Sequence, residues 1–302
     1  MSSLERSFEK HVGTLRRSRE QDAEAGKHLR DIGVWLRRAP FAEGMSVYSQ
    51  GSVRLGTSTA PIARAGFDAD LVCQLPGYAW RSQPRNLFET VGEHLRALPG
   101  FRGDIQRKRR CWTLVFSPQF HVDVTPAIAN ENSQKEDVLV FDGPSQDWRI
   151  SNPSGYAYWF NKRQRARAHC SAMPLVAVVQ LLKRRRDLLL NGPDAPNSIV
   201  ITTLAASVYS GEPTIVEALS NVLRGMLAAL EGFDKHSAVT NPVTPSEVYS
   251  ENWIGNSSAI KLFCRFLKDL QSRLAFAESA RCEGQAAQHL HELFGVERGS
   301  IN

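Results

Sequence analysis

The run FDADLVCQL, residues 67–75, carries two aspartates, Asp68 and Asp70, inside an apolar stretch that reads as a strand. Side chains alternate faces along a strand, so Phe67, Ala69, Leu71, Cys73 and Leu75 point one way and the two carboxylates point the other. Like charges side by side on a half-buried surface repel each other and resist desolvation, so the pair calls for a positive neighbour. A second run, FHVDVTPAI at residues 120–128, puts Val122 and Val124 on one face and His121, Asp123 and Thr125 on the other. If the two strands are neighbours, three carboxylates share one face. Such an oxygen-rich set suits Mg²⁺, which takes carboxylates together with phosphate oxygens and water. Two such ions about 3.5–4 Å apart stabilise both the attacking and the leaving oxygen of a phosphoryl transfer.

Upstream, Gly51 and Ser52 follow a strand-like run in MSVYSQGSVRLGT. A glycine lets the backbone approach a phosphate closely, exposed N–H groups attract the anion, and the serine hydroxyl adds a donor. Gly56 and Thr57 complete the loop. Asp-x-Asp alone caps many turns, and Gly-Ser alone is a common turn. The ordered set of Gly-Ser, Asp-x-Asp on a strand and a third aspartate on a hairpin strand is far more specific.

Two basic runs accompany this set. In Lys183-Arg184-Arg185-Arg186 each residue turns about 100° from the last on a helix, so the four cannot face one site. One or two reach a triphosphate and the rest are expected in solvent. Arg107-Lys108-Arg109-Arg110 has no interleaved aromatic residue, which argues against single-strand binding, and reads as a solvated face. His121 reads as a structural hydrogen-bonding residue, and Tyr158, Trp159 and Tyr209 as packing residues.

The elements that must position these residues follow from periodicity. Residues 4–38 carry helical apolar spacing in one helix or two, with Gly13 between the stripes. LFETVGEHLRAL is a helix ended by Pro99-Gly100, and CWTLVFSPQFHVDVTPAI is a hairpin turning at Ser117-Pro118-Gln119. Beyond Tyr156 strand signals fade: MPLVAVVQLLKRRRDLLL, TIVEALSNVLRGMLAALEGF and SAIKLFCRFLKDLQSRLAFAESARC are helical, while SIVITT is β-branched enough to be ambiguous. The division expected is 1–155 for an N-terminal helix and a mixed α/β core, and 156–302 for a helical lobe.

The 302 residues suffice for a large core, and 42% apolar with 23% charged residues reads as a globular chain. The N-terminus lacks a signal-peptide apolar region, which predicts a cytoplasmic protein, and no apolar run suggests a membrane span. Five cysteines, far apart and without a Cys-x-x-Cys pair, exclude a disulfide framework and a zinc ribbon. The formal charge of +6 favours anionic partners such as nucleotides or nucleic acid.

The segments GSVRLGT, FDADLVCQL and FHVDVTPAI resemble the nucleotidyltransferase superfamily of DNA polymerase β. With SNPSGYAYWF, MPLVAVVQLLKRRRD, NSIVITTLAASVY and NPVTPSEVYSENW, the chain is similar over most of residues 45–260 to the bacterial cGAS/DncV-like nucleotidyltransferases of anti-phage CBASS systems. The resemblance implies an α+β fold, with a polymerase β-like mixed-sheet core and an α-helical second lobe. It implies a Mg²⁺-dependent synthase, Mn²⁺ being an alternative ion, that joins nucleoside triphosphates, ATP among them, into cyclic oligonucleotides with release of pyrophosphate. Asp68 and Asp70 would hold both ions, and Asp123 would complete the site on the side of the attacking ribose hydroxyl. Gly51, Ser52 and, by its place in QLLKRRRD, Lys183 would bind the donor triphosphate. It further implies a downstream effector that reads the product and regulatory partner proteins, with nucleic acid compatible but not required. Ser154 departs from the lysine of many relatives, the tight His/Cys cluster of a zinc insertion is missing around His121, His169 and Cys170, and the terminal GSIN does not suit C-terminal conjugation. Two alternatives stay open: a linear-product or RNA-tailing nucleotidyltransferase with the same ion site, and a non-catalytic nucleic-acid-binding module.

Overall fold

A computed structural model describes residues 2–62, 66–133, 135–165, 173–190, 192–279 and 282–295. His169, Cys170 and the terminal GSIN lie outside them. The chain first forms α1 (Ser3–Thr14), then α2 (Arg19–Leu36), so the N-terminal stretch is two helices. The break comes from Ser18 and not from Gly13, which lies within α1. Ser18 accepts from the Gln21 amide while the Gln21 side chain accepts from the Ser18 amide, a reciprocal cap that starts a new helix.

The chain divides into two compact units, one of residues 17–158 with 243–247, the other of 1–16, 159–242 and 248–302. In the first unit, β1 (Ser46–Gln50) leads into the short helix α3 (Gly51–Leu55), followed by β2 (Phe67–Leu75), α4 (Gly77–Trp80) and α5 (Pro84–Arg96). Then come β3 (Asp104–Arg107), β4 (Trp112–Ser117), β5 (Phe120–Ala129), β6 (Val138–Asp142) and β7 (Asp147–Ser151). They make one mixed sheet in the order β1-β2-β5-β4-β3, with β6 beside β5 and β7 beside β6. Only β2 and β5 run parallel among these pairs; the rest are antiparallel. One edge of β5 is shared: β4 pairs with it as far as Val124 and β6 from Ala127. Pro126, which has no N–H to donate to a ladder, falls between the two.

One sheet face is the core. Ala69, Leu71, Cys73 and Leu75 of β2, Trp112 and Leu114 of β4, and Val122 and Val124 of β5 pack with Ile32 and Leu36 of α2 and with Leu87, Phe88, Val91 and Leu95 of α5. The alternation expected for β2 and β5 is therefore present, and it leaves the aspartates on the opposite face. Gly92 lets α5 press onto the sheet, since a Cβ there would lie 2.3 Å from the Trp112 ring. Trp112 donates to the Phe88 carbonyl at 2.9 Å, so its buried N–H is satisfied.

The run Arg107–Arg110 is exposed over Arg107, Lys108 and Arg109 and half-buried at Arg110, as a solvated face requires, but its arginines also make ion pairs. Arg107 pairs with Glu89 at 3.1 Å and lies over the Phe88 ring. Arg109 and Arg110 both donate to the buried Asp142 carboxylate, at 2.6 and 3.0 Å. Burial alone would raise Asp142; the hydrogen bonds from Arg109, Arg110 and Ser145 outweigh it and hold the carboxyl well below the usual range.

The second unit contains α1 together with α7 (Pro174–Leu189), α8 (Ser198–Val208), α9 (Ile215–Glu231), α10 (Ser257–Glu278) and α11 (Glu283–Phe294). The unit boundary falls inside α6 (Pro153–Arg165), three residues beyond the expected division at 155. The assignment of the N-terminal helix to the α/β core is corrected: α1 packs on α11 and α9, and the Glu5 carboxylate accepts from the amides of Ile215 and Val216 at 2.7 and 3.1 Å. That carboxylate caps the positive end of α9 and ties α1 to the helical unit. The ambiguous SIVITT is helical. Its Thr202 and Thr203 hydroxyls bond back to the Ser198 and Ile199 carbonyls at 2.7 Å, and burial on nearly all sides overrides the β-branched propensity. No helix of the described residues is long and apolar enough to cross a membrane.

Candidate active site

The register between parallel β2 and β5 brings the predicted acidic residues together. Asp68 is paired with His121, and Asp70 with Asp123. Paired residues on neighbouring strands project to the same side, so the three aspartates and His121 share one face. Antiparallel β1 sets Gln50 opposite Asp70 and Tyr48 opposite Val72 on that face. Gln50 reaches the Thr125 hydroxyl at 3.5 Å, and Tyr48 donates to Gln74 Oε1 at 2.9 Å.

Gly51 fixes the next part. Its φ is +62°, and a Cβ there would stand 2.2 Å from Asp70 Oδ2. The chain can turn from β1 into α3 against this carboxylate only without a side chain. Ser52 follows, with its backbone carbonyl accepting from the Thr57 amide at 3.0 Å. Its hydroxyl accepts from Ser58 at 3.0 Å, which leaves its own proton to donate. Gly51 thus stands against Asp70, and Ser52 follows it at the start of α3.

The carboxylates share a face but are already engaged. Asp68, with 64% of its side chain exposed, lies 3.2 Å from His121 Nδ1. His121 is thus the hydrogen-bonding neighbour expected. Asp123 Oδ1 accepts from the Thr113 hydroxyl at 2.5 Å. Among the described residues no three His, Cys, Asp or Glu side chains are gathered closely enough to hold an ion as they stand. The donor chemistry is of the kind Mg²⁺ takes: three carboxylates on one sheet face, with the Gly51 backbone packed against Asp70.

Three residues here had no sequence signal of their own. Arg54 of α3 lies over the Tyr48 ring at 5.5 Å and donates to the Ser49 carbonyl at 3.3 Å and to Ser154 Oγ at 3.4 Å. A cation therefore reaches the position where Ser154 departs from lysine. Cys111 sets its thiol against Asp123; burial first, then that carboxylate's charge and hydrogen bond, raise the thiol and keep it protonated. Thr113 is the third. Both Cys111 and Thr113 are found only through strand register.

Lys183 lies on α7 in the helical unit, and its neighbours are not the solvated residues expected. Lys183, Arg184 and Arg185 are all buried. Arg185 donates to the Leu293 carbonyl at 3.0 Å and pairs with Asp269 at 3.1 Å, and Arg186 donates to Ser198. These cations hold helices together, which is why the run can lie in a core. Tyr209 is buried as expected and donates to the Glu212 carbonyl, while Tyr158 is exposed.

Comparison with known proteins agrees with this fold. The chain is 28% identical over 288 residues to a c-di-GMP synthase of Roseivirga ehrenbergii, covering 87% of this chain and 77% of that protein. It superposes on the CD-NTase CdnG of Bradyrhizobium diazoefficiens, solved with GTP, with a TM-score of 0.80, 18% identity and coverage of 97% and 96%. With the DncV cyclic AMP-GMP synthase of Vibrio cholerae the TM-score is 0.70 at 16% identity, with coverage of 95% and 93%. The mixed sheet with a helical lobe is thus the nucleotidyltransferase fold of these proteins. Residues 2–164 match the Second Messenger Oligonucleotide or Dinucleotide Synthetase domain, SMODS. With more than half of its length inside that match, the chain belongs to the SMODS family.

Proposed function

We propose that the protein is a Mg²⁺-dependent synthase that joins nucleoside triphosphates through phosphodiester bonds and closes the product into a ring, releasing pyrophosphate. The observation that carries this reading is the pairing of Asp70 with Asp123 across parallel β2 and β5, with Gly51 packed against Asp70. The Gly51 backbone and the Ser52 hydroxyl bind the donor's phosphates where the chain can approach most closely. Asp123 accepts a hydrogen bond from the attacking ribose hydroxyl and aims it at the α-phosphate. Asp68, Asp70 and Asp123 are the residues that would hold Mg²⁺, which supplies charge neutralisation for the phosphoryl group and the leaving pyrophosphate. By its place in QLLKRRRD, Lys183 is proposed as a further triphosphate contact. A second condensation, with the linear product turned in the site, closes the ring.

The named activities of relatives, a c-di-GMP synthase and a cyclic AMP-GMP synthase, support guanine and adenine nucleotides as the first substrates to try. We place the product in second-messenger signalling of anti-phage defence in the cytoplasm, read by an effector. A solved complex of CdnC from E. coli MS115-1 with a HORMA protein supports a regulatory protein partner here as well.

The test is incubation with each labelled pair of triphosphates and Mg²⁺, followed by phosphatase treatment and mass spectrometry. A ring has no terminal phosphate and resists the phosphatase; full digestion would show a linear product and sink the cyclic reading. Asp68→Asn with Asp70→Asn should abolish pyrophosphate release. Release that persists in this variant would remove the aspartates from the reaction.

A further inference from the structure

The hairpin of β4 and β5 turns through Pro118-Gln119, with Ser117 opposite Phe120. Carried on without interruption, that register would set Leu114 opposite Asp123. It is interrupted: the next pair is Val115 with His121, so Phe116 is an extra residue on β4 with no counterpart on β5. Beyond this bulge Thr113 stands opposite Asp123 and Trp112 opposite Val124. A bulge shifts every later side chain by one place, and bulges commonly re-aim a residue beside a functional site. Here it exchanges an apolar neighbour of Asp123 for a hydroxyl, and it turns Trp112 and Leu114 into the core.

Thr113 is 6% exposed, and its hydroxyl lies 2.5 Å from Asp123 Oδ1. A carboxylate oxygen can only accept, so the hydroxyl donates. Such charge-assisted bonds are short and strong, and one made from a β-branched side chain on a strand is stiff. It engages Oδ1 and so restrains rotation of the carboxylate. The Cys111 thiol, in the residue before β4, neighbours the same carboxylate.

We propose that Thr113, brought into register by the bulge at Phe116, is a positioning residue that orients the Asp123 carboxylate for the ion and for the attacking hydroxyl. The proposal rests on the reading of Asp123 given above. It predicts that the hydroxyl, and not the bulk of the side chain, is what the reaction needs. Thr113→Val keeps the shape and removes the donor; Thr113→Ser keeps the donor and removes the methyl group.

The experiment measures kcat and KM for pyrophosphate release with Mg²⁺, binding of Mn²⁺ by electron paramagnetic resonance with a non-hydrolysable triphosphate present, and the melting temperature. Thr113→Val should lose on the order of 10- to 100-fold in kcat, the factor carried by a hydrogen bond to a charged group, with KM changed less than about 2-fold. It should also weaken Mn²⁺ binding about 10-fold at one site, a factor worth one such bond. Thr113→Ser should recover kcat and Mn²⁺ binding to within about 3-fold of the parent, since the donor is kept. Parent-like kcat and Mn²⁺ binding in Thr113→Val, or a Thr113→Ser no better than Thr113→Val, would overturn the proposal. Asp123→Asn is run beside them. If it keeps the parent's rate, the reading of Asp123 itself fails; if it loses the rate while Thr113→Val does not, only the positioning role fails.

Discussion

Gly51 carries the sharpest requirement of any single residue in the site. Its positive φ and the 2.2 Å approach of a would-be Cβ to Asp70 act together. Gly51→Ala must either displace the Asp70 carboxylate or unwind the turn into α3. We expect Gly51→Ala to cost about 1–3 kcal/mol in stability, the range for a strained backbone position. Pyrophosphate release should fall more than 100-fold, because the phosphate cradle and one carboxylate move together. Steady-state kinetics beside thermal melting checks both; an active variant with an unchanged melting temperature would contradict the packing. The Gly-Ser and aspartate spacings were legible because period-2 alternation assigns faces without any knowledge of the fold. Thr113 and Cys111 were not. Their roles follow from a register that one extra residue decides, and nothing in WTLVFSPQF announces that Phe116 is the extra one.

Single elements show the same division between what patterning reveals and what pairing adds. The hairpin and the helices α5, α7, α9 and α10 follow from periodicity. The strands β6 and β7 did not stand out: VLVFD is buried along its whole length and so lacks alternation, and DWRIS is a short polar edge. Missing β6 hid the purpose of the basic run, because Asp142 at the end of β6 is what Arg109 and Arg110 hold. This yields a prediction for the element. Asp142 has a folded pKa below its ordinary 3.8, so its stabilisation is present above that pH and fades as pH falls toward the folded value. Asp142→Asn should lower stability by about 2 kcal/mol at pH 7, the scale of a hydrogen bond to a charged group. The gap between parent and variant should narrow as pH drops below 3.8. Urea unfolding followed by amide exchange in β5 and β6 reads this directly. A gap that is constant from pH 7 to pH 3 would show that the ion pairs are not its source.

Across the whole molecule the two units carry acid sensitivity in different pH windows. His11 of α1 lies with its ring 5.9 Å from the Phe294 ring of α11. Burial first, then the neighbouring charges of His291 and Arg184, push His11 from 6.5 down to about 4. Between those values the unfolded chain holds a proton that folded His11 does not. The stability contributed by burying neutral His11 is therefore full above 6.5 and is lost as pH falls toward 4. The Asp142 clamp in the sheet unit begins to weaken only below 3.8. Acidification from pH 7 to 4.5 should accordingly loosen the helical unit while the sheet unit holds. Amide hydrogen exchange, corrected for the intrinsic effect of pH, should show lost protection in α1 and α11 and retained protection in β2 and β5. His11→Leu removes the titrating group and should flatten the response of α1 and α11 over this range. Equal loosening of both units at pH 4.5, or an unchanged response in His11→Leu, would mean that acid acts through other groups. The expected order follows from chemistry: a partly buried histidine kept neutral between helices fails before a carboxylate kept charged by two arginines.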